Sequence, residues 1–317
     1  MYSGKILFLD SVHEILQNKL EADGFVCEQD YKCSKAELAE KIGAYVGLVI
    51  RSRFILDKEI LEKAKNLKFI ARSGSGMENI DTTYAQKSGI LCLNSPEGNR
   101  DAVGEHALGM LLNLLNKISI GDKEVKAGKW LREANRGTEI GGKIVGIIGF
   151  GNTGSSFAKK LQGFDCEILA YDKFKKGFGN ERIKEVSMDE IFSRSDIVSL
   201  HIPLSSDNHY FVNDDFLKSF KKHIWLINTS RGEVLETSAL VKNLKSGKVL
   251  GACLDVLEYE MKSFENLNIN SLPDDFKYLA SAENVILTPH VAGWTKESYE
   301  KLSSVLYQKI VSAFLSR

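Results

Sequence analysis

Neither sign of charge dominates this 317-residue chain: 42 Lys and Arg stand against 42 Asp and Glu, for a formal net charge of zero. A dedicated polyanion binder carries a basic excess, so nucleic acid is not expected as a partner, although a local basic site is compatible with the balance. No apolar run reaches transmembrane length, and the stretch at Met1–Asp10 is too short for a signal peptide, so no membrane association is expected. The five cysteines are odd in number and form no CxxC pair, which argues for a reduced, cytoplasmic protein. No His/Cys/Asp spacing suits a metal ion. Repeats, low-complexity tracts and lipidation signals are also missing. What is there is an ordinary globular composition, 43% hydrophobic and 26% charged, in a chain long enough for about two domains.

The rest of the chain is organised around Lys143–Gly154. A β-branched apolar run, Ile144 to Ile148, reads as a buried strand and enters Gly149-x-Gly151-x-x-Gly154, after which Ser155 to Leu161 read as a helix. Strand, glycine turn and helix start, in that order, form a dinucleotide fingerprint. Gly149 permits the tight turn, Gly151 lets backbone approach a pyrophosphate, and Gly154 lets helix and strand pack closely. Unpaired N–H groups and the dipole at the helix start attract phosphate. The next strand, Glu167 to Tyr171, is followed by Asp172, placed to bind a ribose 2′-hydroxyl. The expected cofactor is NAD.

On either side of that stretch the chain alternates strand and helix. Residues 1–98 offer strands at Lys5–Leu9, weakly at Phe25–Cys27, and at Val46–Ile50, Leu67–Arg72 and Ile90–Leu93, with helical patterns between them. A long apolar helix is expected from about Arg100 to Lys126, packed between domains or subunits. Six strands follow, at Ile144–Ile148, Glu167–Tyr171, Ile197–Leu200, Ile224–Asn228, Val249–Leu254 and Val285–Leu287. The tail from Thr295 reads as an amphipathic helix carrying Leu302, Val305, Leu306, Ile310 and Phe314, returning to the first domain. The fold class is α/β: two doubly wound parallel-sheet domains, Rossmann-like or flavodoxin-like, with a cleft between them.

In such sheets ligands bind at the carboxyl ends of strands. Those ends read His201-Ile-Pro203, Asn228-Thr-Ser-Arg231-Gly232, Asp255-Val-Leu-Glu-Tyr-Glu260 and Pro289-His290-Val-Ala-Gly293. Hydride transfer between a nicotinamide and a ketone needs a proton donor near neutral pH and a cation to stabilise charge on the carbonyl oxygen. His290 suits the first role, with Glu260 orienting its imidazole; Arg231 suits the second. Asp255 is expected beside the nicotinamide. His201 more readily borders the cofactor than reacts, His106 is unassigned, and Trp294 suits either packing or a lid.

The order GFGNTG, Asp172, HIP, NTSRGE, GACLDVLEYE, TPHVAGWT covers nearly the whole chain and resembles the D-isomer-specific 2-hydroxyacid dehydrogenases. The resemblance implies Arg231, Glu260 and His290 as the catalytic set. It implies cofactor contacts at Gly149, Gly151, Asn152, Thr153, Gly154, Asp172, His201, Pro203, Thr229, Ser230, Arg231, Asp255, His290 and Gly293. It further implies a discontinuous substrate domain, 1–98 plus 289–317, an NAD-binding domain, 99–288, and a homodimer formed through the long helix.

Within the family, the loop Arg72–Asp81 resembles the substrate loop, where the N–H groups of Ser75 and Gly76 would hold a carboxylate. Arg51 and Arg72 stand at adjacent strand ends and Arg132 lies in Gly128-Lys-Trp-Leu-Arg-Glu. These placements resemble phosphoglycerate dehydrogenases, whose arginines take the substrate phosphate. That implies oxidation of D-3-phosphoglycerate to 3-phosphohydroxypyruvate in serine biosynthesis, with Arg231 and His290 also touching substrate. A glyoxylate or hydroxypyruvate reductase, or another D-2-hydroxyacid dehydrogenase, is the alternative, and a small substrate such as glyoxylate needs no arginine cluster. A corepressor-like NAD-binding protein is the alternative of another class, and it needs no imidazole–carboxylate pair. Two departures stand out: Met261 occupies a place where the family usually has Pro, and the segment 261–284 is long and polar. Too few residues follow His290 for the serine-binding regulatory domain of some relatives, so that form of feedback is not expected.

The Asp172 charge makes a cofactor prediction. Repulsion of a 2′-phosphate should favour NAD over NADP by about tenfold or more in kcat/KM. Equal efficiencies in a steady-state comparison of the two cofactors would contradict it.

Overall fold

The computed structural model describes residues 4–260 and 272–314, and the chain forms two compact units, Met1–Asn99 with Trp294–Arg317 and Arg100–Gly293.

The first unit holds five parallel strands, β1 (Lys5–Phe8), β2 (Val26–Gln29), β3 (Gly47–Ile50), β4 (Phe69–Arg72) and β5 (Leu91–Asn94), in the order β2-β1-β3-β4-β5. The central strand β3 is buried along its whole length, as a strand covered on both faces must be. A side chain at Gly47 would collide with the Phe69 ring, so the glycine makes room for the aromatic residue of the next strand. Helices between the strands begin on designed caps: Ser34 and Glu37 form a capping box, and Asp57 accepts the Ile60 N–H. The tail forms one helix, Lys296–Phe314, whose Leu306 and Ile310 share a core with Ile6, Phe8, Leu16 and Leu20. Tyr307 donates to Asp23 at 3.0 Å and Lys309 pairs with Glu97 at 2.9 Å, so both ends of the chain are tied into one unit.

The second unit holds seven parallel strands rather than the six expected: β6 (Ile144–Ile148), β7 (Glu167–Tyr171), β8 (Ile183–Glu185), β9 (Ile197–Leu200), β10 (Ile224–Asn228), β11 (Val249–Leu254) and β12 (Val285–Leu287). Their order is β12-β11-β10-β9-β6-β7-β8. The additional strand, β8, has three residues, too few to show a period, and exists through its pairing with β7. Alternate residues of β6 serve opposite faces: Val145 and Ile147 join one core, Ile148 the other.

The long helix departs from expectation in two ways. It starts at Pro96, whose missing N–H costs nothing in a first turn, and ends at Asn116; a second helix runs Ile118–Lys126. Lys117 between them is left-handed, φ 52°. Asn113 stabilises the break, accepting the Ser119 N–H and donating to the Ser119 hydroxyl, both at 2.8 Å. The apolar stripe Ala107, Met110, Leu111, Leu114 and Leu115 packs with Val145, Ile147 and Phe157 of its own unit. That stripe belongs to the second unit's core.

Gly154 shows how tightly the glycine turn is built: an added Cβ would sit 2.0 Å from the Gly149 carbonyl oxygen. Gly154→Ala is expected to lose about 1–3 kcal/mol by overpacking. Gly163→Ala, with nothing within 4 Å of its Cβ, should stay within about 0.5 kcal/mol of the parent in the same urea titration.

Candidate active site

At the end of β6 the chain turns through Gly149, φ 91°, where a Cβ would also lie 2.4 Å from the His201 carbonyl oxygen. The helix Asn152–Leu161 then starts with Gly151 at its N-cap and no side-chain cap. A Cβ at Gly151 would meet nothing within 4 Å. Uncapped N–H groups beneath an open glycine, with Asn152 and Thr153 opening the helix, suit a diphosphate. Asp172, just past β7, accepts N–H bonds from Phe150, Phe174 and Lys175 at 2.7–2.9 Å. Burial raises its pKa, but those bonds outweigh burial and hold the carboxyl below its ordinary range. It is a charged acceptor where a ribose would need one.

Across the sheet, the His201 N–H donates to the Ile148 carbonyl at 2.8 Å, joining β9 to β6. The His201 ring is 8% exposed and bridges the Ser199 and Thr153 hydroxyls at 2.8 and 3.2 Å. Burial pushes its pKa down to about 3, so the ring is neutral at physiological pH and serves to pin the fingerprint helix. Pro203 is exposed, and its carbonyl accepts from Asn208.

At the end of β10 the organiser is Asn228, which sequence reasoning passed over as a strand residue. Wholly buried, its Oδ1 accepts the Ser230 N–H and hydroxyl at 3.1 and 2.7 Å, while its Nδ2 donates to the Arg231 carbonyl at 3.0 Å. A buried Asn ending an apolar strand was the available signal. Arg231 is steadied in turn by its Nη1, which donates to the Ser230 carbonyl at 2.7 Å. Gly232 is required because a Cβ would reach 2.0 Å from the Leu257 carbonyl oxygen.

The ends of β11 and β12 bring His290 and Glu260 together. Nδ1 of His290 lies 2.8 Å from Glu260 Oε2, and Glu260 Oε1 accepts the Leu257 N–H at 2.6 Å. With Nδ1 facing a carboxylate, proton exchange with a ligand falls to Nε2. His290 is left-handed, φ 53°, a conformation costing about 1–3 kcal/mol for a non-glycine residue. Asp255 over-determines it. Its carbonyl accepts the His290 N–H at 2.8 Å, and its carboxylate, 1% exposed, accepts the Val291 and Ala292 N–H groups at 2.9 and 2.8 Å. Gly293 closes this loop.

In the first unit, Arg72 Nε donates to the Arg51 carbonyl at 3.1 Å, and the Arg51 guanidinium lies 4.0 Å over the Trp294 ring. The Ser75 hydroxyl donates to Asn99 at 2.8 Å, and Asn94 holds the Ser75 carbonyl at 2.6 Å. Among the described residues the Ser75 and Gly76 N–H groups donate no hydrogen bond, as a carboxylate cradle requires. Arg132 belongs to the second unit, on the exposed stretch after the helix Ile118–Lys126. Met261 and residues 262–271 lie outside the described residues; a helix, Asp274–Ser281, covers part of the remainder of the polar segment.

Residues 108–292 match the sequence profile of the D-isomer specific 2-hydroxyacid dehydrogenase, NAD binding domain. The chain belongs to the D-isomer-specific 2-hydroxyacid dehydrogenase family. It is similar to the D-3-phosphoglycerate dehydrogenase of Archaeoglobus fulgidus, 32% identical over 310 residues, 97% of this chain and 57% of that protein. It therefore spans little more than half that relative's length. It is also similar to the hydroxypyruvate reductase of Thermotoga maritima, 36% identical over 276 residues and 87% of each chain. Among solved structures, the D-lactate dehydrogenase of Aquifex aeolicus, complexed with NAD and lactic acid, superposes with a TM-score of 0.82 at 28% identity, covering 98% of this chain and 95% of that one. Members of the family are NAD-dependent oxidoreductases, and the second unit carries the family's NAD-binding domain. The residues fit that cofactor: besides the open helix start and Asp172, the Thr229 hydroxyl is buried without a partner among the described residues, an acceptor and donor awaiting a ligand.

The neutral His201 sets a pH dependence. Its folded pKa, about 3, lies below the ordinary histidine value, so its contribution is complete above about pH 6.5 and is lost as pH falls through that window. Acidification should cost about 1.4 kcal/mol per pH unit from this group. Urea unfolding of His201→Gln between pH 7 and 4 should show a shallower acid loss than the parent; equal slopes would contradict the assignment.

Proposed function

We propose that this protein interconverts a D-2-hydroxy acid and its 2-keto acid, with His290, Glu260 and Arg231 as catalytic residues and D-3-phosphoglycerate as the substrate. The observation that carries the reading is the 2.8 Å His290–Glu260 pair at the carboxyl edge of an NAD-binding sheet. Bound NAD would accept the hydride from C2. In that direction His290 Nε2 takes the hydroxyl proton, and Glu260 holds the imidazole by Nδ1 and stabilises the cation that results. Arg231 neutralises charge developing on the oxygen and contacts the carboxylate. Ser75 and Gly76 bind that carboxylate through their N–H groups, while Arg51 and Arg72, and Arg132 from the second copy of a homodimer, receive the phosphate.

Dimerisation is supported by Ile118, Val125, Trp130 and Leu131, all exposed, Trp130 at 77%. A cytoplasmic location accords with the unpaired cysteines. Reduction of hydroxypyruvate is the second reading, supported by the similarity to the Thermotoga maritima protein.

His290→Ala should lower kcat by about 10²–10⁴ while leaving NADH binding, followed by fluorescence, in place. Near-normal turnover would refute the acid–base assignment. Arg51→Ala should raise KM for phosphohydroxypyruvate by about tenfold with little change for hydroxypyruvate. If the parent enzyme prefers the unphosphorylated acid, the reductase reading replaces the first.

A further inference from the structure

His106 sits on the helix Pro96–Asn116 and belongs to none of the cofactor motifs. Its side chain is 25% exposed, and its Nε2 lies 3.0 Å from the Thr288 hydroxyl oxygen and 3.5 Å from Asp255 Oδ1. Thr288 follows β12 directly. Its hydroxyl is 2.5 Å from Asp255 Oδ1 and 3.7 Å from the Met110 sulfur. A hydroxyl has one proton to give, and a carboxylate at 2.5 Å outcompetes a thioether at 3.7 Å. Thr288 therefore donates to Asp255. Its oxygen is left to accept from the imidazole, which places a proton on His106 Nε2. The result is a directed chain: His106 Nε2–H to Thr288 Oγ1, then Thr288 O–H to Asp255 Oδ1.

That chain ends on the residue that holds the His290 loop. Asp255 accepts the N–H groups of His290, Val291 and Ala292, the first through its carbonyl and the others through its carboxylate. We infer that His106 and Thr288 are positioning residues for the reaction, acting through Asp255 to fix residues 290–292 and aim the left-handed His290. Packing alone does not require this arrangement. Leucine would suit an apolar helix as well as histidine does, and valine would match the shape of Thr288, but leucine would remove the donor to Thr288 and valine the donor to the buried Asp255 carboxylate. The inference rests on His290 being the residue that exchanges the proton.

The test is a set of variants assayed in the reductive direction with NADH and the preferred keto acid. Thr288→Val and His106→Leu should each lower kcat about tenfold, with KM and the NADH dissociation constant within about threefold of the parent. The solvent deuterium isotope effect on kcat should rise as proton transfer becomes limiting. His106→Gln, whose amide can present an N–H near the Nε2 position, should recover most of the loss. The double variant His106→Leu/Thr288→Val should be no slower than the slower single one, because both break the same chain. Thr288→Val with kcat within about twofold of the parent overturns the inference. So do losses that multiply in the double variant, which mark two independent packing sites, or a His106→Gln enzyme as slow as His106→Leu. Should Thr288→Val fail to fold, the His106 pair decides alone. His290→Ala serves as the control: an inactive His290→Ala beside a fully active Thr288→Val removes only the relay, whereas an active His290→Ala removes the acid–base reading and the relay with it.

Discussion

The adjacency of β6 and β9 is the constraint on which the second unit depends. The two strands run parallel in register, Ile148 beside Leu200, yet the chain leaves β6 toward β7 and leaves β9 toward β10. Crossover connections therefore depart to opposite sides, and the carboxyl ends at this point stay uncovered. Every candidate site motif of the unit follows from that edge. The glycine turn lies on one side of the reversal and His201 on the other, while Arg231, Asp255 and the His290 loop succeed one another along β10, β11 and β12. The last rung, His201 N–H to the Ile148 carbonyl, ties the two sides of the reversal.

Two carboxylates do different work on this edge because their surroundings differ. Glu260 is partly exposed and meets the imidazole of His290 through one oxygen, orienting the ring. Asp255 is almost wholly buried and spends its oxygens on main-chain N–H groups and the Thr288 hydroxyl. A buried carboxylate so satisfied is rigid, and its rigidity is what a left-handed histidine needs. Either acid alone would leave His290 oriented in its ring or anchored in its backbone, but not both.

The strand-end motifs were legible in the sequence because a parallel sheet writes them locally: an apolar run, then a short polar segment at its carboxyl end. The glycine turn, Asp172, Arg231, Glu260 and His290 all have that form. What escaped depends on partners far along the chain or on elements too short to carry a period. The strand β8 is held by β7 and shows no alternation of its own. The helix break at Lys117 places a good helix former in a left-handed turn, and only the Asn113–Ser119 pairing reveals why. Asn228 reads as the end of a strand until its bonds to Ser230 and Arg231 are seen. The Thr288–Asp255 contact spans 33 residues and His106–Thr288 spans 182, separations over which neither spacing nor periodicity carries information. Trp294, equally suited by sequence to packing or a lid, is a face for the Arg51 guanidinium.

That last contact bears on how firmly Arg51 is held in the first unit. The second unit carries the family's NAD-binding domain. The first unit carries Arg51 and Arg72 at adjacent strand ends. Arg51 is not a flexible surface cation: its N–H is bound by Asp10 at 2.6 Å, its carbonyl is held by Arg72 and Asn79, and its guanidinium plane is laid on an indole. A planar fork held in this way would lose little rotamer entropy on meeting an anion, and any contribution would fall on affinity rather than on a chemical step. If such a group selected among substrates, it would act as uniform binding, changing KM rather than kcat.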